Sequence, residues 1–414
     1  MKLAQGNWPH IPSTAVREAL MPVMVLGWLG LGVSAQFPAC AAPAEPVAAS
    51  STASYTFDVN YQETDEVLVS GSVGIKLQNA PFQKEPALPG QNVFRGSLMW
   101  RTLPKQATAF IWDKGRGRLY LDLNRNRDLT DDPKGIFASA SRDDSQIFTN
   151  IHLVFPTTAG DRPVRLQVHL NSYPAGSVRA SVGLCSYWEG RVSLHGQEWQ
   201  FGLMESGLGA GATGLPEFLL LRPWAERQRP WHLNYAMPDG FDYTKNLFFG
   251  NRAYELDCRY EPSGDSPKYK VTFKEQAPRL GELKVTGADL HRLILTAKRA
   301  MTVVLDQPAG TVRLPVGSYS LAEIWLRKGE TEAGSFRAGR LSVSDQRPAS
   351  LVAGGPLTNC VEVRLEGHDL QFIYKLLGAD GRAYELPRPD YKHPPEFAVF
   401  QGTNRLAAGK FEFG

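Results

Sequence analysis

The sequence predicts an all-β protein made of two sandwich-like domains. Three observations point that way. Apolar residues recur in short alternating runs of strand length. Glycine (39 residues) and proline (29 residues) are frequent enough to supply many turns. Segments with the 3.6-residue period of a helix are scarce.

The N-terminus reads as a secretory signal over residues 1–41. Lys2 and Arg17 flank an uncharged apolar core, ALMPVMVLGWLGLGVSA at 19–35, and small residues at Val33-Ser34-Ala35 and Ala39-Cys40-Ala41 fit cleavage sites. A retained anchor is the alternative, but the run is short and broken by Pro22, Gly27, Gly30 and Gly32. Lipid attachment through Cys40 is a further alternative. Ala39 fits that motif, and Phe37 and Pro38 do not. A periplasmic or extracellular location is expected, with no membrane span in the mature chain. Residues 42–54, rich in Ala, Pro and Ser, read as a linker.

An N-terminal β domain is expected over 55–280. Strands are predicted at 55–61, 66–77, 107–112, 118–124, 147–155 and 164–171, and residues 82–97 read as a long loop. RVSLHGQEWQFGLM (191–204) predicts a hairpin turning at His195-Gly196. Residues 205–245 show the least regular pattern. A boundary near 276–283 opens a second domain, 281–414, whose many short strands have the spacing of a sandwich.

Formal net charge is +3, without the concentrated basic face of a nucleic-acid binder, so no nucleic-acid partner is expected. Cys185, Cys258 and Cys360 are far apart and show no metal-type spacing, and one disulfide among them is compatible with an oxidising compartment. No histidine lies at ligand spacing and no nucleophile motif occurs. GAGATG at 209–214 matches a dinucleotide fingerprint in letters only. No βαβ unit surrounds it, so it reads as a loop.

The densest chemistry lies in DLNRNRDLTDDP, 122–133. With Asp122 as position 1, Asn124, Asn126 and Asp128 fall at positions 3, 5 and 7 of a calcium loop, and Leu129 fills the apolar position 8. Arg127 replaces the glycine of position 6, and Pro133 replaces the closing carboxylate, a role left to Asp131 or Asp132. A structural Ca2+ held by Asp122, Asn124, Asn126, Asp128, Asp131 and Asp132 is expected. The alternative is a metal-free turn in which the Asn and Asp side chains bond their own backbone. A second candidate is the aromatic stretch 223–243, where Trp224, Trp231 and Tyr235 could form a sugar platform or fill an interface.

The acidic loop resembles those of dockerins and other secreted calcium modules. The whole mature chain resembles a group of secreted bacterial β-proteins that share LYLDLN…DLTDD, a central G-x-x-W/Y hairpin, LP-x-G-x-Y (Leu314 to Tyr319) and a final G-K-F-E-F/Y-G (Gly409 to Gly414). LP-x-G-x-Y-x-L also resembles prealbumin-like and carboxypeptidase-regulatory-like modules, where a Pro-Gly turn leads into an edge strand. These resemblances imply secretion and an Ig-like or prealbumin-like C-terminal sandwich, and no reaction. The expected function is non-catalytic: a binding or structural protein of the cell envelope, with polysaccharide or other envelope components as partners. The alternative is an envelope enzyme acting on polysaccharide, such as a glycoside hydrolase, with its cleft near 205–245.

Overall fold

The computed structural model describes residues 53–77, 82–88, 92–100, 107–204, 216–229, 231, 238–262, 266–297, 300–367, 369–387 and 392–412. The expected signal and most of the expected linker lie outside these residues, as do Cys40, GAGATG and Tyr235. The chain is all-β and sandwich-like, and among the described residues no helix reaches seven residues. None is long and apolar enough to cross a membrane.

In chain order the strands of the first half are β1 (Ser54–Glu63), β2 (Val69–Leu77), β3 (Val93–Met99), β4 (Thr108–Asp113), β5 (Arg118–Leu121), β6 (Ile136–Ala138), β7 (Ser145–Thr157), β8 (Gly160–Ser172), β9 (Val178–Leu184), β10 (Ser186–Leu194), β11 (Gln197–Met204), β12 (Phe218–Pro223), β13 (Gly240–Asp242), β14 (Asn246–Phe249), β15 (Arg252–Glu261) and β16 (Lys268–Gln276). They continue with β17 (Leu280–Thr286), β18 (Leu290–Ala297), β19 (Met301–Asp306), β20 (Gly310–Pro315), β21 (Gly317–Lys328), β22 (Thr331–Val343), β23 (Ala349–Val352), β24 (Thr358–Glu366), β25 (Asp369–Leu377), β26 (Ala383–Tyr384), β27 (Glu396–Gln401) and β28 (Asn404–Lys410).

Contacts divide the chain into two compact units. The larger holds residues 53–357 and 378–387. Within it, one sheet runs β6-β5-β4-β3-β2-β9-β8-β7, and a twelve-stranded sheet runs β13-β12-β11-β10-β1-β16-β15-β14-β19-β18-β21-β22. β17 forms a small sheet between β20 and β23. The boundary expected near 276–283 is crossed by hydrogen bonding, since β14 pairs in parallel with β19. Strands after 281 are shared among several sheets instead of forming one separate module. The smaller unit contains residues 358–377 and 388–414. There β24 pairs with β25 and β27 with β28. Phe397 joins them, stacked on Phe372 and in contact with Phe411, each at 4.9 Å between ring centres.

Two apolar cores organise the larger unit. One packs Trp100, Phe110, Trp112, Phe148 and Leu166 of the eight-stranded sheet region against Met204, Leu220 and Trp231. The other gathers Val59, Phe201, Leu219, Leu221, Phe273, Ile294, Val304 and Trp325. β12 therefore sends alternate leucines into different cores. With both faces buried it shows a continuous apolar run, which is why the pattern of 205–245 hid a strand. β3 was hidden for another reason. Gly96 interrupts its pattern, and a Cβ there would lie 2.7 Å from the Lys76 carbonyl oxygen, so the strand needs the glycine that makes it read as loop. The hairpin of β10 and β11 turns at His195 (φ 51°) and Gly196 (φ 79°), the left-handed pair that matches strand twist. β21, which opens at Gly317, is not the edge strand that the LP-x-G-x-Y resemblance implied. It is flanked by β18 and β22. The Tyr319 hydroxyl donates to the Pro315 carbonyl at 2.7 Å and fixes that turn.

Candidate functional site

The acidic loop begins where β5 ends. The Asp122 amide still donates to the Ala109 carbonyl at 3.0 Å, extending the ladder with β4 by one bond. Its side chain then turns inward and is 2% exposed. Asp122 Oδ2 accepts the Arg127 N–H at 3.1 Å, closing a loop of six residues, 122–127. Arg125 and Arg127 both have φ of 64°, so the left-handed turn expected at position 6 is made by a residue with a Cβ, and Arg125 adds a second. The loop's return passes so close to β5 that a Cβ on Gly135 would lie 2.3 Å from the Leu121 carbonyl oxygen.

Two contacts hold the loop from outside. Leu129 is buried against Ile111 and Tyr120. Its amide donates to the Lys84 carbonyl at 3.1 Å, while the Gln83 amide donates to the Arg127 carbonyl at 2.8 Å. On the other side the Arg125 guanidinium donates to the Val154 carbonyl at 2.9 Å.

Inside the loop, the Asn124 side-chain oxygen accepts the Asn126 N–H at 3.0 Å, and the Asn126 oxygen accepts the Asp128 N–H at 2.7 Å. These are the self-capping turns of the metal-free reading. The amide groups of Asn124 and Asn126 both donate to the Asp131 carboxylate, at 3.1 and 2.6 Å. Asp132 accepts the Leu123 N–H at 3.2 Å. Asp128 faces away, bonded to Lys84 at 2.8 Å. That ammonium and the Thr130 hydroxyl hold its carboxyl down at about 2.

Asp122 and Asp132 both shift the other way from Asp128. Burial pushes the Asp122 carboxyl above its ordinary value against the pull of the Arg127, Arg125 and Asn126 amides, and Asp131 adds to the rise. Burial likewise raises Asp132, with Asp122 and Asp131 contributing. Asp122 Oδ1 is buried without a hydrogen-bond partner. Among the described residues no group of three or more His, Cys, Asp or Glu side chains is arranged to hold a metal, so any ion here would need the asparagine oxygens as well.

The aromatic stretch presents a different picture. Trp231 is 6% exposed and packs in the first core, its indole N–H donating to Glu189 at 3.0 Å. The Arg222 guanidinium covers its ring at 3.6 Å. Trp224 is half-buried, with Arg191 and Arg227 over its ring at 4.8 and 5.1 Å. The two rings do not form an open platform for a sugar. Burial of the indole and its capping by cations take up the faces that stacking would use.

Around these rings lies an ionic cluster that sequence reasoning missed. Arg292 is fully buried and donates to Asp306 at 2.6 Å and to the carbonyls of Leu221 and Pro238 at 2.8 and 2.7 Å. Arg222 donates to Gln200 at 2.6 Å and lies 3.7 Å from Asp239. Arg229 joins Asp239, Glu226 and Glu332, and Arg327 joins Glu226 and Glu332. Seven strands lie between β12 and β18 in the twelve-stranded order, so Arg292 reaches Leu221 only because the sheet rolls back on itself. Burial pulls the Arg222 guanidinium down to about 10, with Asp239 opposing. Burial also works against charge on Arg292, but Asp306 and Asp239 outweigh it and hold the group above its ordinary value. His291, buried beside Arg327, Arg292 and Arg229, is pushed down to about 3 and stays neutral.

Among the described residues, the carboxylates nearest these groups, Asp239, Glu226, Glu332 and Asp306, are each paired with an arginine. Glu323 is pushed up to about 7 by burial, but it accepts the Trp325 indole N–H at 2.7 Å. A cavity of about 280 Å3 is lined by Asn246, Ala253, Tyr254, Gln276, Ala277, Pro278 and Met301, with no carboxylate. Cys185 and Cys258 are buried free thiols, and Cys360 is a half-buried one. Burial raises the Cys185 pKa and pushes Cys258 up to about 12, so neither is a ready nucleophile.

Comparison with protein-family models, with curated proteins and with solved structures returned no match.

Proposed function

We propose that this is a non-catalytic binding or structural protein of the periplasm or cell exterior, whose loop 122–132 takes up a calcium ion that braces the end of β5. The observation that carries the ion is Asp122: a carboxylate 2% exposed whose Oδ1 has no hydrogen bond of normal geometry, although the Arg125 and Asn126 amides also act on the group. An unpartnered buried carboxylate oxygen is costly, and a hard cation is the partner such an oxygen suits. Asn124, Asn126 and Asp131 lie around the same loop and offer further oxygens once the asparagine amides turn. Asp128 does not need to supply its side chain, because position 7 of such loops uses a backbone carbonyl. The signal-like N-terminus supports export, where free calcium is plentiful.

Melting of the purified chain with calcium and with excess chelator tests this. An ion at 100 times its dissociation constant stabilises by about 2.7 kcal/mol, which raises the midpoint by several degrees. Identical melting curves with calcium and with chelator would sink the proposal.

A further inference from the structure

The strand β24, TNCVEVRLE, has one partner among the described residues, β25. Its other edge faces no described strand. Natural edge strands are usually kept short or blunted with proline, lysine or a bulge. β24 has nine residues, contains neither proline nor lysine, and pairs with β25 without a register shift. Along it Val361, Val363 and Leu365 are 42%, 54% and 64% exposed.

The register fixes which backbone groups are free. Glu366 pairs with Asp369, so the hairpin turns in two residues, with Gly367 at φ 65°. In such a hairpin the closing pair exchanges both of its backbone hydrogen bonds, and hydrogen-bonded pairs then alternate along the strand. Arg364 and Glu362 therefore bond toward β25. The N–H and C=O groups of Val361, Val363 and Leu365 point to the open edge.

We propose that this edge is a self-association surface, on which two copies of the chain pair β24 to β24, antiparallel, about a two-fold axis at Val363. The sequence is complementary to itself in that register. Val363 meets its own copy, and Val361 meets Leu365 of the other chain, which joins the three exposed side chains of each copy into one apolar row. On the opposite face Glu362 stands across from Arg364 of the other chain, and Arg364 across from Glu362. Within one copy Glu362 already bonds Arg364 and Lys375, so the charges are held where a second copy would meet them. A shift of one residue in register would oppose Glu362 to Val363 and lose both matches. The axis also closes the assembly at two chains, because a two-fold interface uses the same edge of both copies.

Light scattering or sedimentation of the purified chain over a range of concentrations tests this with three variants. Wild type should form dimers. E362R sets arginines opposite Arg364, and R364E sets carboxylates opposite Glu362, so each alone should self-associate roughly tenfold or more weakly. An equal mixture of the two restores opposite charges at both positions and should dimerise again. V363P removes an N–H that faces the open edge, so it should be monomeric with the melting curve of wild type. The proposal is overturned if wild type stays monomeric throughout or assembles beyond two chains. It is equally overturned if the single variants or V363P dimerise like wild type. A mixture that associates no better than its components, with both melting normally, also overturns it.

Discussion

The acidic loop and the arginine cluster are both dense in charge, yet they satisfy it in opposite ways. In the loop every partner of Asp122, Asn124, Asn126, Asp131 and Asp132 lies within about a dozen residues of chain, and most bonds go to backbone amides. The arrangement is local, and it leaves a buried carboxylate oxygen over. In the cluster the partners run from Glu189 to Glu332, and each arginine meets a carboxylate on a distant element. Local polar sequence builds the loop, but the Arg125 guanidinium goes to the Val154 carbonyl and Lys84 to Asp128, which leaves Asp122 Oδ1 without a partner. Long-range packing brings both signs of charge together, and what it leaves over are nitrogens, Arg222 Nη1, Arg229 Nε and His291 Nε2, buried without a hydrogen bond. The first arrangement leaves a carboxylate oxygen over, and the second leaves nitrogens.

The comparison breaks most visibly at Arg292. Its removal in R292M strands Asp306 and two buried carbonyls, and denaturant unfolding should show a loss of roughly 3–5 kcal/mol. A loss under 1 kcal/mol would mean the cluster does not hold the rolled sheet closed. Next in size is the effect of acid. The folded His291 holds out against protonation down to about 3, while the unfolded side chain takes a proton near its ordinary 6.5. Between those values the unfolded state binds more protons, so His291 makes stability fall as pH drops, by about 1.4 kcal/mol per unit, and gives nothing above 6.5. The pH series of H291Q should be flatter over that window by this amount, and a slope equal to wild type would remove His291 from the account.

Asp122 sharpens the other side. With chelator present, D122N should melt within about 1 kcal/mol of wild type or above it, since the buried charge is gone. With calcium present it should lose the wild-type rise. A D122N protein that still gains several degrees from calcium would place the ion elsewhere. The smallest effect is expected at position 6. R127G relieves a side chain held at φ 64° and should stabilise by about 0.5–1 kcal/mol, less what the freer unfolded chain takes back. Measurable destabilisation instead would show that the Arg127 side chain contributes contacts that outweigh the strain.

Legibility in the sequence follows the same division. The strands of the eight-stranded sheet were readable wherever one face is buried and the other wet, as in VRLQVHLN of β8, which alternates along its length. The His195-Gly196 turn was readable because the residues that tolerate positive φ are few. The acidic loop was readable in its spacing, down to Leu129 in the apolar position, because its bonds join near neighbours. β12 was not readable, since Leu219, Leu220 and Leu221 enter two cores and leave no period. Nor was the arginine cluster. Arg222, Arg229, Arg292 and Arg327 look like ordinary polar residues until the sheet rolls and places them side by side. Trp231 stands out in the sequence only as one ring of an aromatic stretch, and its place under Arg222 depends on the same rolling.

The closure made by Arg292 also bears on kinetics. Its guanidinium contacts a carbonyl 71 residues away along the chain, and the seven strands between β12 and β18 must be seated before that carbonyl arrives. A contact of such separation is expected to form late in folding and to break early in unfolding. Arg292 then acts as a latch: substitutions there should quicken unfolding while leaving the folding rate nearly untouched, so the residue governs how long the folded chain lasts more than how fast it forms.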